Sequence, residues 1–370
     1  MSNSGKVIEE TEASYEQQCY DKVEKASGAL NIFKVPNKLR KVKEDAYSPR
    51  LVSIGIYHRE KHELAAMQEH KHRYRRYFEK RLNESATSRE SFESFFINTL
   101  AEKIASCYVG RIGYYEHYNL NMMLEEQSDD PIFNTIWIIP ALRQDLALVE
   151  NQIPFFILQT LYEEPKGNNK GVDDPPGGTE GYKHLLDLLH KFYLPSQPKS
   201  TNNKQHPAGA GDSSIINITN MDIPGSGSYN NWGFNYCASQ LLESGIEIER
   251  QSSEKHLLNI TFSKGVIRIP SLFIDDNISL LRNLIAYEQY SISSNHITSY
   301  PILLKSLIRS SKDIKILRQR RIINSNWIDD EVYLAQCHSI LDEVVVKDFC
   351  FADLCNQVNA YARNSGFADV

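Results

Sequence analysis

The chain has 370 residues and a net charge of −6, and 41% of its residues are hydrophobic and 24% charged. This composition is typical of a globular protein with a sizeable core and excludes a wholly disordered chain. The charge gives no overall attraction to nucleic acid, and six scattered cysteines without a Cys-x-x-Cys pair predict reduced thiols of an intracellular protein, not a disulfide framework or a zinc site.

The N-terminal half is predicted to be mostly helical. Residues 1–30 are polar and acidic, and we expect a flexible tail without a signal sequence. Between residues 63 and 109 apolar side chains recur at helical spacing. A further helix, carrying Leu142, Leu146 and Val149 on one face, is predicted to bend or end at Pro154, because proline cannot donate a backbone hydrogen bond.

The C-terminal half alternates polar segments with short apolar elements. Residues 165–181 and 195–231 are rich in Pro, Gly, Ser and Asn, and they are predicted to be two long polar loops. The fold class is therefore mainly α (α+β): a helical domain with a small antiparallel β-meander. The strands are predicted near residues 246–249, 257–262 and 266–269, and helices near 185–193, 236–243, 278–289, 302–309 and 312–323.

The most informative stretch is residues 145–156, where Glu150, Asn151 and Gln152 interrupt an apolar run. Such groups are buried only when their donors and acceptors are satisfied. One interpretation is a polar pocket for a peptide or small ligand beside Phe155 and Phe156. The favoured interpretation is a structural polar network that fixes the chain at Pro154. Its charge partner is expected to be one of two arginines, Arg143 or Arg282.

Three groups of residues invite a catalytic or metal-binding interpretation, and none has a convincing pattern. Asp275, Asp276 and Glu288 are candidate acid/base carboxylates, although two of them stand at a helix start, where capping is expected. The triad candidates His184, Asp187 and His190 lack a Gly-x-Ser-x-Gly nucleophile motif. The histidines at 58, 62, 70 and 72 lack metal-ligand spacing, so we predict no metal and no cofactor.

Basic residues on two predicted helices are candidates for anion contact. Arg73, Arg75 and Arg76 are candidate lipid or phosphate contacts, and a second basic set follows between residues 312 and 321. Neither set accompanies a nucleic-acid-binding motif, so we predict no nucleic-acid partner. A peripheral anionic-lipid binder is one alternative, and a plain solvated helix face is the simpler one.

Several segments in order resemble a plant family, the domain of unknown function 247. The resemblance covers about residues 32–360, which we expect to form a single domain interrupted by the two loops. Its most specific pieces are Asp129-Asp130-Pro131 and residues 145–156. The others include Ile-Phe-Lys-Val-Pro-Asn-Lys-Leu at 32–39, Ala-Tyr-Ser-Pro-Arg-Leu-Val-Ser-Ile-Gly at 46–55, residues 184–190, and Arg-Asn-Leu-Ile-Ala-Tyr-Glu-Gln at 282–289.

The resemblance implies a biochemically uncharacterised protein. Family members typically carry a C-terminal membrane helix at the plasma membrane, and some grass members are implicated in self-incompatibility. This chain departs from that pattern in two places: Glu125-Glu126-Gln127 stand where an apolar stretch is usual, and residues 361–370 form a polar tail without a membrane helix. A cytosolic location is therefore the alternative to the plasma membrane.

These observations lead to one functional expectation and one catalytic alternative. We expect a non-enzymatic protein-interaction or recognition module, membrane-associated as in the family, in signalling or self-recognition with an unknown protein partner. The alternative is an uncharacterised hydrolase or transferase that uses carboxylates near Asp275, Asp276 and Glu288.

Overall fold

The computed structural model describes residues 32–58, 61–68, 70–71, 73–74, 135–158, 181–194, 216–217, 232–251, 258–271, 274–290, 295–324, 328–346 and 348–365. The chain divides into two compact units. The first unit is drawn from Met1–Val35 and Tyr47–Leu189, and the second from Pro36–Ala46 and His190–Val370. The tail of residues 1–30 lies outside the described residues, and a single domain over residues 31–360 stays a prediction.

Helices dominate the described residues. They are α1 (Asn37–Val42), α2 (Ile138–Leu146), α3 (Leu185–Tyr193), α4 (Ala238–Glu243), α5 (Ile274–Glu288), α6 (His296–Leu307), α7 (Ser311–Gln319), α8 (Asp330–Ser339) and α9 (Ala352–Asn364). The strands are β1 (Ile216–Asn217), β2 (Glu247–Arg250), β3 (Thr261–Ser263), β4 (Val266–Ile269) and β5 (Val345–Val346). The mainly α class with a small sheet is therefore confirmed.

The first unit packs its core against helix α2. Leu142 on the inner face of α2 meets Val52 and Met67, and partly buried apolar residues such as Ile138 and Tyr74 surround this cluster. The helix ends at Leu146, eight residues before Pro154, so the predicted helix through residue 153 is wrong. The chain then turns through residues 147–154 and becomes helical again from Phe155, with Pro154 directly before that helical turn.

The second unit is built around helix α6. Nine of its residues are buried, including Pro301 inside the helix. Helix α6 contacts α5 and α8, and α7 contacts α4 and α8. Because apolar side chains cover α6 on nearly all sides, burial stabilises this helix in spite of the hydrogen bond that proline removes.

The sheet of the second unit corrects the predicted antiparallel meander. Its strand order is β2-β4-β3, with β2 parallel to β4 and β3 antiparallel to β4. Ile267 and Ile269 of β4 are both buried, which suits the central position of that strand. Strand β1 lies inside the predicted loop 195–231 and pairs with β5, with Ile216 opposite Val346. The remaining residues of that loop before 232 lie outside the described ranges.

Candidate functional site

Side chains from residues 145–152 hold an extended segment of the same unit, residues 50–55. The Asp145 carboxylate accepts hydrogen bonds from the amides of Arg50, Leu51 and Val52 at 3.0, 2.7 and 2.8 Å. Such multiple backbone donors satisfy a buried carboxylate without a cation. Asp145 is 2% exposed, and its carboxylate has a structural role in binding these three amides.

Asn151 also forms hydrogen bonds with the backbone of this segment. Its Oδ1 accepts the amides of Ile54 and Gly55 at 2.7 and 3.2 Å, and its Nδ2 donates to the carbonyls of Val52 and Asp145 at 2.8 and 2.9 Å. All four hydrogen-bonding positions of the amide are therefore occupied by backbone groups. Asn151 acts as a side-chain substitute for a neighbouring strand.

Gln152 caps the preceding helix. Its Nε2 donates to the carbonyls of Leu146 and Leu148, both at 2.8 Å, and its Oε1 accepts the Leu186 amide at 3.1 Å. A helix end leaves carbonyls without partners, and this amide satisfies one of them. The fit is tight, because a Cβ added to Gly55 would lie 2.8 Å from the Gln152 carbonyl oxygen.

Glu150 is the charged member of the trio. Its Oε1 accepts the Val35 amide at 2.7 Å, and its Oε2 lies 3.2 Å from His58 Nε2. The His58 nitrogen is close enough for an ion pair but is not aligned for a hydrogen bond. The side chain beside Glu150 is thus a histidine and not either of the two expected arginines, since Arg143 is exposed on α2 and Arg282 donates to Ser339 in the second unit at 3.0 Å.

The triad candidates do not form a triad. In the first unit, His184 Nδ1 accepts the Asp187 amide and Asp187 accepts the Lys183 amide, so both side chains cap the start of α3. His190 belongs to the second unit, where its Nε2 lies 2.8 Å from the Glu288 carboxylate. The contacts of His184 and Asp187 are those of structural capping groups.

Glu288 holds the start of helix α6. Its two carboxylate oxygens accept the amides of Ile297 and Thr298 at 3.0 and 2.7 Å and the Thr298 hydroxyl at 2.6 Å. A carboxylate at this position also interacts favourably with the helix dipole. The side chains of Asp275 and Asp276, the other catalytic candidates, lie outside the described residues, although both positions belong to α5.

Sequence reasoning missed a further buried carboxylate, Asp313. It accepts the amides of Ser239, Arg309 and Ser310 and the Ser310 hydroxyl, at 2.8 to 3.1 Å. Burial alone would raise the pKa of Asp313, but the hydrogen bonds from Ser239, Ser310 and Cys237 hold this pKa below its ordinary value. The pattern Ser-x-x-Asp at 310–313 is the signal that could have found it, as a capping box at the start of α7.

Three of the basic candidates in the described residues, Arg73, Lys312 and Arg318, contact other side chains of the chain. Arg73 is partly buried and lies over the Tyr74 ring at 5.6 Å, while Arg75 and Arg76 lie outside the described residues. In the second basic set, Lys312 pairs with Glu243 at 3.0 Å, and Arg318 pairs with Asp330. These ion pairs reduce the positive potential that the sequence alone indicates.

Neither a metal centre nor a membrane span is found in the described part of the chain. Among those residues, no three His, Cys, Asp or Glu side chains converge to hold a metal ion. No helix of the described ranges combines the length and the apolar character needed to cross a bilayer.

The sequence of the chain matches a known protein family. Residues 32–368 match the family model DUF247, described as a plant protein of unknown function. The chain belongs to this family. Among similar proteins of Arabidopsis thaliana, UPF0481 protein At3g47200 is 30% identical over 90% of this chain and 77% of its own length. The putative UPF0481 protein At3g02645 is 29% identical over 39% of this chain and 29% of its own length.

The DUF247 match confirms the resemblance inferred from the ordered sequence segments. The hydrogen bonds of Asp145 and Asn151 to the backbone of residues 50–55 connect two of the segments that carry this resemblance. No solved structure matches this chain.

Proposed function

We propose that this DUF247 chain is a non-enzymatic interaction module, in which a rigid frame presents polar segments to a protein partner. One observation carries the proposal: each of the five buried acidic side chains in the described residues accepts at least one backbone amide of its own chain. They are Asp145, Glu150, Asp187, Glu288 and Asp313. A general acid or base must instead direct an oxygen at a substrate.

The frame also joins the two ends of one predicted loop. The Phe155 amide donates to the Lys183 carbonyl at 2.8 Å, and the Phe155 and Tyr182 rings meet edge to face at 5.3 Å. These contacts bring together the chain on either side of residues 159–180, which include most of the polar segment 165–181. A segment fixed at its base tolerates sequence change while its position is kept, which suits a variable contact surface.

We also propose three properties that the family resemblance implies. These are an association with the plasma membrane, a part in signalling or self-recognition, and an unknown protein partner. The enzymatic alternative loses one of its three candidate carboxylates, because both oxygens of Glu288 are engaged at the start of α6.

Proximity labelling in plant tissue, with the chain as bait, tests the proposal. Residues 165–180 are replaced by a Gly-Ser segment of equal length, and residues 196–214 are replaced in a second variant. We expect at least one replacement to remove specific labelled proteins while the thermal unfolding midpoint stays unchanged. Labelling that is identical in wild type and both variants contradicts the assigned role of these segments.

A chemical screen separates the enzymatic alternative. The wild-type chain and the variant Glu288→Gln are compared on ester, phosphoester and acyl-transfer substrates. The proposal expects no turnover above that of the heat-unfolded chain. Turnover that disappears in Glu288→Gln, with folding retained, contradicts it.

A further inference from the structure

Strand β5 of the second unit is covered by a side chain on one edge and by strand β1 on the other. The side-chain amide of Gln289 binds both backbone groups of Val345: its Oε1 accepts the Val345 amide at 3.0 Å, and its Nε2 donates to the Val345 carbonyl at 3.1 Å. Backbone groups of consecutive residues point to opposite edges of a strand, so those of Val346 face the other edge. Strand β1 lies along that edge, antiparallel to β5, with Ile216 opposite Val346.

The core of the second unit fixes β5 in place. Val344 and Val346 are both 0% exposed, whereas Val345 between them is 38% exposed. This alternation anchors the strand through one of its faces. The valine side chains and Gln289 therefore hold β5 through residues outside β1. An edge that is formed in advance lowers the ordering cost of adding a strand to it.

Strand β1 comes from a short run that differs from the polar segment around it. Residues 195–231 are rich in Pro, Gly, Ser and Asn, but the run 213–221 contains no proline, glycine or charged residue. Its residues at 215, 216, 218 and 219 are β-branched, which favours extended backbone. Residues 195–215 and 218–231 separate β1 from the nearest described helix and turn. The run therefore has the composition of a short strand motif on two long tethers.

The pairing of β1 with β5 is short. It consists of two residue pairs in the part of the chain that the structure describes. Strands of globular proteins usually have about five or six residues, and a two-stranded ladder alone is marginal in water. Such a pairing opens at a lower free energy than the core of its unit. Strand β1 therefore occupies the β5 edge as a strand that another segment can displace.

We propose that this edge of β5 is a docking site for an extended segment of a partner protein, and that β1 is the internal competitor for the site. The partner segment adds as an antiparallel strand, and its backbone amide and carbonyl bind those of Val346. A β-branched residue of the partner stands opposite Val346, as Ile216 does in β1. The inference rests on the proposed interaction function and names the kind of partner, a protein with an uncharged, proline-free strand segment.

Binding of a peptide to the full chain tests this proposal. The probe is a fluorescein-labelled peptide with the sequence of residues 213–220, followed by fluorescence anisotropy. In the chain, Ile216→Pro removes a backbone amide of β1 and is expected to break the pairing with β5. The peptide should bind this variant at least about tenfold more tightly than the wild type, in which the tethered β1 competes at high effective concentration. The matched control is the peptide with the same Ile216→Pro change, for which we expect no binding.

A second variant and a second measurement locate the bound peptide. Residues 213–220 of the chain are replaced by a Gly-Ser segment of equal length, which opens the edge without adding a proline. This variant should bind the peptide as tightly as Ile216→Pro, and bound peptide should slow hydrogen exchange of the Val346 amide. The proposal is overturned if the peptide binds neither variant, if it binds wild type and variants equally, or if it binds without protecting Val346.

The tests of the docking site and of the proposed function are independent. The replacement of residues 196–214 used for proximity labelling leaves β1 in place. Absence of peptide binding overturns the docking site alone. Labelling that is identical in wild type and both loop variants contradicts the proposed function instead, whatever the peptide does.

Discussion

Replacement of Asn151 by leucine removes a side chain that makes four hydrogen bonds to the backbone of the first unit. The two side chains have the same branched arrangement of four heavy atoms, so the change removes the hydrogen bonds while largely keeping the shape of the side chain. The Ile54 amide and the Val52 carbonyl lose bonds of 2.7 and 2.8 Å, and the Gly55 amide loses a longer bond of 3.2 Å. The Asp145 carbonyl loses its bond to Nδ2 but keeps the Leu148 amide at 3.3 Å.

The expected loss follows from these bonds. Each typical bond contributes about 1 kcal/mol net, and leaving a buried backbone group unsatisfied costs about 1–3 kcal/mol. With two strong bonds and one weak bond left without replacement, Asn151→Leu should lower the free energy of unfolding by about 3–4 kcal/mol. Asn151 is 0% exposed, so water does not reach these groups without opening the structure.

Urea unfolding measures this change through the shift in transition midpoint at a constant m-value. Gln144→Leu is the control, because Gln144 is exposed on α2 and the same substitution there should change stability by less than about 0.5 kcal/mol. A loss below about 1 kcal/mol for Asn151→Leu, or an equal loss in the control, refutes the assignment of Asn151 as a structural link.

Three further predictions concern both units. Gly55→Ala should lower the unfolding free energy by about 2–3 kcal/mol, measured by urea unfolding, because its Cβ would lie 2.8 Å from the Gln152 carbonyl oxygen; an unchanged midpoint contradicts this close approach. Glu288→Ala should destabilise more than His190→Leu in thermal unfolding, since Glu288 binds three other donors at α6, and the reverse order counts against its capping role. Because the pKa of Asp313 is depressed, the contribution of its carboxylate to stability is complete above the ordinary value of 3.8 and is lost as pH falls through the lower folded-state pKa. Asp313→Asn should therefore reduce the loss of unfolding free energy at acid pH. An unchanged acid dependence of stability in the variant contradicts this prediction.

The sequence identified the polar trio but not the element that contains it. Leu142, Leu146 and Val149 recur at helical spacing, yet the helix ends at Leu146. Asn151 and Gln152 explain the difference, because their side chains take the carbonyls of Asp145 and Leu146 that further helical amides would have used. Spacing alone does not reveal this competition between side chain and backbone.

Long-range partners were beyond the reach of sequence patterns. Asp145 binds amides 93 to 95 positions away, and nothing near it in the sequence indicates that segment 50–55 supplies them. Helix α6 shows the same limit in another way. The sequence predicted a helix near residues 302–309, whereas the helix begins at His296, and its residues are buried from Ile297 onward.

The pairing of the strands depends on packing in the core as well as on the sequence of each strand. The turn at Lys264-Gly265 joins β3 and β4 as an antiparallel pair, as local sequence predicts. The parallel pairing of β2 with β4 brings Ile248 beside Ile267, and both side chains are fully buried. Alternating apolar residues predicted the strands, but the core of the unit selected their order.

Amide hydrogen exchange at Leu51, Val52 and Ile54 in the native chain tests the central claim most directly. These residues lie in no helix or strand, and their amides donate to the side chains of Asp145 and Asn151. If buried polar side chains of this unit are committed to holding its backbone, the three amides exchange only with unfolding of the unit, as slowly as the core amides of α2. Exchange at the rate of an open loop would contradict the account and free Asp145 and Asn151 for chemistry.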